Sequence, residues 1–304
     1  MGRHPRRLRP AGRPLAGDVT HSPADVSRLL AGRGLRPSRA LGQNFVADPN
    51  TVRRIARLAE VGPGDRVVEI GAGLGSLTLA LVETGASVVA VEIDRHLLPI
   101  LHEVVDPLGV TVVEGDALRL DWASLLPLPA GWVLVANLPY NVATPLVADL
   151  LDTVPAVQRM LVMVQREVGE RLAAGPGDDA YGAVSVKVAY WATARLAGRV
   201  PASVFVPRPN VESVLVDIRR RPAPAVDPAV VAPDQLFGLV RAGFAQRRKM
   251  LRRSLTGLVP PDAWAAAGVD PSARAEELGV GDWGRLAYAA SAASSAAADP
   301  EGSE

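Results

Sequence analysis

Short apolar runs rich in β-branched residues recur at 66–70, 87–93, 110–114, 132–136 and 160–164, with helix-like or turn-like spacing between most of them. Continuous apolar strands alternating with helices predict a parallel, doubly wound α/β sheet buried on both faces. Gly71, Glu92, Asp116 and Asn137 each stand at or just after the end of such a run, 21, 24 and 21 residues apart. In such sheets the ligand lies beyond the carboxyl ends of the strands. All four landmarks fall on that edge, so their spacing predicts a nucleotide-type ligand. Ahead of the sheet, Ser22-Pro23 predicts a helix start, with Ser22 as N-cap and Asp25 in the first turn. Gly32 and Gly34 end that helix. Beyond Asp217 the pattern turns helical. Phe237, Val240, Phe244, Leu251 and Leu255 share one face at about 100° per residue, and Arg248, Lys249, Arg252 and Arg253 share a flank of the same predicted helix. The expected organisation is an α/β domain at 22–217, including the N-terminal helix, and a helical domain at 218–290. Residues 1–21, rich in Arg, Pro and Gly, predict a disordered basic arm, and the Ala/Ser-rich residues 291–304 a disordered tail.

Composition narrows the chemistry. The chain has 304 residues, 48% of them hydrophobic, enough for one sizeable domain and a smaller one. No apolar run approaches the roughly 20 residues that cross a bilayer, and the basic amino terminus leads into no apolar core of a secretory signal. The absence of cysteine excludes a disulfide scaffold, cysteine-ligated zinc and a thiol nucleophile, and agrees with a cytoplasmic protein. His4, His21, His96 and His102 lack metal-ligand spacing, so no metal is expected. The net charge of +1 hides an uneven distribution: residues 1–40 hold nine arginines against Asp18 and Asp25, and Arg247, Arg248, Lys249, Arg252 and Arg253 form a second cluster. Such patches predict a polyanionic partner. A monomer is expected.

The first strand runs into Glu69-Ile70-Gly71-Ala72-Gly73-Leu74-Gly75. Glycines such as Gly71 and Gly73 let the backbone turn tightly and approach a ligand ahead of a helix. A dinucleotide fingerprint would place its third glycine where Ser76 stands. Glu92 is placed to accept hydrogen bonds from ribose hydroxyls, and Asp116 from an adenine amine; each could instead cap the following helix. The motif Asn137-Leu138-Pro139-Tyr140 closes the fourth strand. Adenine N6 is a poor nucleophile because its lone pair is delocalised into the ring. The Asn137 side-chain oxygen, with the Leu138 or Pro139 carbonyl, could accept both N6 hydrogens and turn that lone pair toward a methyl donor. Tyr140 offers a flat face for an extruded base.

Taken in order, Leu41-Gly42-Gln43-Asn44-Phe45, the Glu69–Gly73 loop, Val91-Glu92-Ile93-Asp94 and Asn137-Leu138-Pro139-Tyr140-Asn141 resemble the small-subunit ribosomal RNA adenine N6,N6-dimethyltransferases. Gln165-Arg166-Glu167-Val168, Ala180-Tyr181-Gly182, Phe205-Val206-Pro207-Arg208-Pro209 and Gln246-Arg247-Arg248-Lys249 extend the resemblance over about residues 25–290. The resemblance implies a Rossmann-like class I S-adenosylmethionine methyltransferase sheet with a smaller C-terminal helical domain. It implies S-adenosylmethionine contacts at Asn44, Val46 (through its backbone), Gly71, Glu92, Asp116 and Asn137. It also implies a target-adenine pocket of Asn137, Leu138, Pro139, Tyr140 and Phe205, with Phe205 stacking opposite Tyr140. The family dimethylates two adjacent adenines near the 3′ end of small-subunit rRNA in an assembling subunit. Arg166 and Arg171 are candidate RNA contacts, and the five tryptophans are expected in packing roles.

Asn210 and Glu212 depart from the family pattern, where Lys and Asp are common, and Val46 stands where Leu is usual. Macrolide-resistance methyltransferases of the large subunit commonly carry Ile at the position of Leu138 and lack the Gln-Arg-Arg-Lys segment in this form. A DNA adenine methyltransferase would need a DNA-reading module, and none is recognisable. From another class, a non-catalytic ribosome-assembly factor is opposed by the intact Glu92, Asp116, Asn137 and Tyr140.

Overall fold

The computed structural model describes residues 20–127, 131–139 and 142–298. The chain runs α1 (Pro23–Ala31), β1 (Phe45–Val46), α2 (Pro49–Leu58), β2 (Arg66–Ile70), α3 (Ser76–Glu83), β3 (Ser87–Glu92), α4 (Leu98–Val105) and β4 (Thr111–Glu114). It continues through α5 (Trp122–Leu125), β5 (Trp132–Asn137), α6 (Ala143–Thr153), β6 (Val157–Gln165), α7 (Arg166–Ala173) and α8 (Ala183–Trp191). Then come β7 (Ala192–Val200), β8 (Phe205–Val206), β9 (Ser213–Arg220), α9 (Pro233–Ala245), α10 (Leu251–Ser254), α11 (Pro261–Ala267) and α12 (Val280–Ala298). Among the described residues no helix is long and apolar enough to cross a membrane.

Seven strands form one sheet in the order β4-β3-β2-β5-β6-β9-β7, and β1 pairs with β8 separately. The strands from β4 to β6 are parallel, as the alternating pattern predicts. The sheet as a whole is mixed, because β9 pairs antiparallel with β6 and β7 antiparallel with β9. These two strands escape the reading of apolar runs for different reasons. On the edge strand β7, exposed arginines and a bulge near Gly198 interrupt the apolar pattern. In β9 a buried aspartate, Asp217, breaks it, and the strand continues to Arg220 rather than ending at a domain boundary.

Successive residues of the central strands point to opposite faces. Val68, Leu134 and Val162 join α6 and α8 on one side, while Val67, Val135 and Leu161 join α2, α3 and α4 on the other. Each buried Val or Leu contributes about 1.5–3 kcal/mol, which is why these strands are apolar on both faces.

α1 opens as its sequence predicts: the Ser22 side chain accepts from Asp25 N, and the Asp25 carboxylate accepts from Ser22 N at 3.0 Å. Residues 1–19 of the expected arm lie outside the described residues. Thr20 and His21 do not belong to a free arm. Thr20 is buried, and His21 Nε2 lies 2.8 Å from Leu74 O.

The C-terminal helices enclose a third core of Phe237, Leu251, Leu255, Trp264, Trp283 and Leu286, to which α8 lends Val186 and Tyr190. Two expectations are corrected here. The predicted helix through Phe237 and Leu255 is two helices, because α9 ends at Ala245 and the chain turns at 246–249 before α10. The apolar phase survives because Leu251 N bonds Ala273 O, which holds α10 against the same core. The tail expected from 291 continues α12 to Ala298. Alanine has the highest helix propensity, and Ala289 and Ala290 already pack inward, so an Ala/Ser-rich sequence extends the helix. Residues 299–304 lie outside the described residues. Trp122, Trp132, Trp264 and Trp283 are buried and Trp191 half-buried, in the packing roles expected of them.

Candidate active site

Two clefts open beyond the carboxyl ends of β2, β3, β4 and β5. They share Leu41, Gly71, Ile93, Leu138 and Pro139 as a common wall. The first is lined by Asn44, Val46, Glu69, Gly71, Gly73, Glu92 and Asn137. The second is lined by Gly115, Asp116, Ala117, Leu118, Val142 and Leu146. The predicted contacts Asn44, Val46, Gly71, Gly73, Glu92 and Asn137 thus line the first cleft, and Asp116 the adjoining second one.

The glycine loop shapes the floor. Gly71 and Gly73 have φ of 76° and 60°, a region costly for other residues. A Cβ on Gly73 would meet the Phe45 ring at 3.1 Å. The loop turns over the carboxylate of Glu92, whose Oε2 accepts from Gly73 N at 2.7 Å and whose Oε1 accepts from Asp94 N at 2.8 Å. Burial raises the pKa of Glu92, and these backbone bonds act against that rise. Each oxygen keeps a lone pair for a further donor. Asp116 keeps both readings given to it: its carboxylate caps the turn through Leu118 N at 3.0 Å, and the residue lines the second cleft.

Asn137 ends β5 at the wall of the first cleft. Its Nδ2 donates to Asn44 O at 2.9 Å, and this bond fixes which way the amide faces. The side-chain oxygen is thereby left as the acceptor. Of the two carbonyls the sequence left open, Pro139 O accepts from Val142 N and Ala143 N at the head of α6. Both its lone pairs are engaged. Among the described residues none donates to Leu138 O, which leaves Asn137 Oδ1 and Leu138 O as the pair of acceptors there. Tyr140 and Asn141 lie outside the described residues. Phe205 pairs with Val46 across β1 and β8, is only 4% exposed and lines neither cleft.

Two residues were not singled out from the sequence. Glu69 lines the first cleft at 1% exposure with Oε2 unpartnered, and burial pushes its carboxyl up to about 8. Ile93 follows Glu92, is 48% exposed and walls both clefts. Its signal was an apolar residue where a strand ends at a predicted ligand edge.

The candidate RNA contacts divide. Arg247 bonds Glu276 at 2.6 Å and Asp179 O at 2.7 Å. Arg166 pairs with Glu170 and Glu212, and Arg171 with Glu167. Arg248, Lys249, Arg252 and Arg253 are exposed on the turn after α9 and on α10. Tyr181 is structural, donating its buried hydroxyl to Leu278 O at 2.9 Å.

Residues 35–291 match the family described as ribosomal RNA adenine dimethylase. The chain is 51% identical over 277 residues to the ribosomal RNA small subunit methyltransferase A of Thermobifida fusca, covering 88% of this chain and 94% of the relative. This chain belongs to the ribosomal RNA adenine dimethylase family. A second relative of the same description, from Kineococcus radiotolerans, is 48% identical over 92% of this chain and 95% of its own length. Among solved structures, a dimethyladenosine transferase from Plasmodium falciparum superposes with a TM-score of 0.67 at 24% identity, covering 79% of this chain and 94% of that one. The 23S rRNA methyltransferase ErmE gives 0.64 at 25% identity over 82% of this chain and all of its own. These neighbours confirm the class I methyltransferase fold. The two superpose almost equally well, so the fold alone does not identify the substrate. The relatives at 51% and 48% identity are both described as small-subunit methyltransferases.

Proposed function

We propose that this dimethylase-family protein transfers methyl groups from S-adenosylmethionine to N6 of two adjacent adenines near the 3′ end of small-subunit rRNA, in an assembling subunit. The observation that carries the reading is the fixed amide of Asn137, which leaves Oδ1 as an acceptor in the first cleft, next in sequence to Leu138, which lines both clefts.

The donor set fits the cosubstrate. Glu92 has acceptor capacity for two ribose hydroxyls. The apolar walls at Ile93, Leu118, Val142 and Leu146 suit a purine face, with Asp116 as acceptor for its amine. The buried carboxyl of Glu69, whose Oε2 has no partner among the described residues, suits a cationic amino group. When bound, S-adenosylmethionine supplies an electrophilic methyl group. The chain contributes orientation. In the first transfer Asn137 Oδ1 and Leu138 O accept the two N6 hydrogens, and in the second one of them accepts the hydrogen that remains. The lone pair is aimed into the first cleft, and the proton that N6 gives up at each transfer passes to solvent. Tyr140 stacks on the extruded base. A stacking role for Phe205 requires its buried ring to become exposed when RNA binds.

The test is methyl transfer from labelled S-adenosylmethionine to small subunits lacking this modification, with the modified adenines mapped by mass spectrometry. Dimethyladenosine at two adjacent sites is expected, with Asn137→Ala slower by about 100-fold or more. Label in large-subunit rRNA or DNA instead would overturn the substrate and keep the chemistry. Tight subunit binding without transfer would favour a non-catalytic assembly role.

A further inference from the structure

Residues 38–44 form a strap whose part from Ala40 to Asn44 walls the site. Leu41 lines both clefts, and Gly42, Gln43 and Asn44 line the first. Such a segment has little regular structure of its own, so its position depends on tethers. One is the bond from Asn137 Nδ2 to Asn44 O. The other is the side chain of the preceding residue. Gln43 Oε1 accepts from Ser38 N at 2.7 Å, closing the strap on itself, and Gln43 Nε2 donates to Asp94 Oδ2 at 2.8 Å. Asp94 in turn donates its backbone N–H to Glu92 Oε1, while its Oδ1 accepts from His96 N at 3.0 Å. Consecutive strap residues are thus tied to the two ends of the site, Gln43 through Asp94 to the Glu92 end and Asn44 to Asn137.

We infer that Gln43 is a positioning residue: its amide latches the strap to Asp94, and the latched strap lets Asn44 O hold the Asn137 amide with its oxygen toward the target amine. The inference rests on the proposed role of Asn137. It differs from a general packing role because the latch has a polarity. Gln43 must accept on one side and donate on the other, and a carboxylate of nearly equal shape cannot donate. Gln43→Glu sets two carboxylates against each other. Asp94→Asn alone places an amide nitrogen against either Gln43 Nε2 or His96 N, whichever way it turns. The two substitutions together restore the bond with donor and acceptor exchanged.

The experiment is this double-mutant cycle. It is read as kcat and KM on unmethylated small subunits, and as S-adenosylhomocysteine affinity by calorimetry. Each single variant is expected to lose about tenfold in kcat, the scale of one charge-assisted hydrogen bond. Each is also expected to bind S-adenosylhomocysteine more weakly, with KM for subunits within about twofold of the parent. The pair should recover both quantities to within about threefold. A folding defect would instead accumulate in the pair, so losses that multiply overturn the latch. So do single variants indistinguishable from the parent, or a change confined to KM, which would make the strap an RNA contact. If the parent itself transfers no methyl group, the proposed function fails, and the calorimetric cycle still decides whether the latch exists.

Discussion

Glu69 combines deep burial with an unpartnered oxygen at the wall of a cleft. Burial holds its carboxyl at about 8, and the charge on Glu92 acts in the same direction. In the ligand-free protein at neutral pH it is therefore mostly protonated, whereas in the unfolded chain it ionises near 4.3. A carboxyl raised in the fold lends stability that is complete below the unfolded value and lost as pH rises through the folded one. Ligand-free protein should consequently lose stability between about pH 4.5 and 8, with this one group contributing up to about 1.4 kcal/mol per pH unit. Urea midpoints across that range check the slope. Glu69→Gln, which keeps the shape and removes the titration, should flatten it without abolishing it, because Glu92 is raised by burial as well. An unchanged slope in the variant would place the titration elsewhere.

At the scale of elements, β9 is the strand whose stability depends most on one polar residue. Asp217 is 1% exposed in mid-strand and bonds Arg159 at 2.7 Å, Arg195 at 2.8 Å and Arg219 at 3.1 Å. Arg159 also donates to Leu58 O and Ala59 O, so the same cluster caps the end of α2. Burial opposes ionisation of Asp217, but the hydrogen bonds from Arg159 and Arg219 outweigh it and hold its pKa below the usual range. The stability it lends is thus present above about pH 3.9 and lost as pH falls further. Asp217→Asn leaves the nearly buried Arg159 with only the exposed Glu60, at 2.9 Å, as a carboxylate partner, and should cost about 3 kcal/mol in denaturant unfolding at pH 7. A loss under about 1 kcal/mol would show that Glu60 alone compensates Arg159 and Arg219. This residue also marks where the sequence stopped being legible. The parallel strands are readable because each is apolar on both faces. An aspartate in a core position looks like the end of a strand until the arginines of β6 and β7 are seen beside it. The strap at 38–44 is similar: Gln43 and Asn44 belong to a recognisable motif, but their partners are 51 and 93 residues away. The positions of Glu92, Asp116 and Asn137 were legible because the sheet topology itself puts strand ends on one edge.

For the whole molecule the decisive charges are those of the basic cluster that follows α9. Charge clustering alone offered five cations at 247–253 as equivalent. The fold separates them, because the chain turns out of α9 before α10 begins. Arg247 is spent on Glu276 and Asp179 O, which join the turn to neighbouring segments. Arg248, Lys249, Arg252 and Arg253 remain exposed. Cations that neutralise phosphates release counterions, and each contact adds about 0.7 to 0.9 to the slope of log affinity against log salt. Replacing those four by alanine should therefore weaken binding to unmethylated small subunits and reduce the salt slope by about three. Arg247→Ala should leave the slope within about half a unit and act on stability instead, by at most about 1 kcal/mol for a half-exposed pair. Methyl-donor affinity should be unchanged in both, because none of these side chains lines either cleft. A salt slope that survives loss of all four cations would move the RNA contact off this cluster. A slope that falls with Arg247→Ala would mean that its bond to Glu276 opens when RNA arrives.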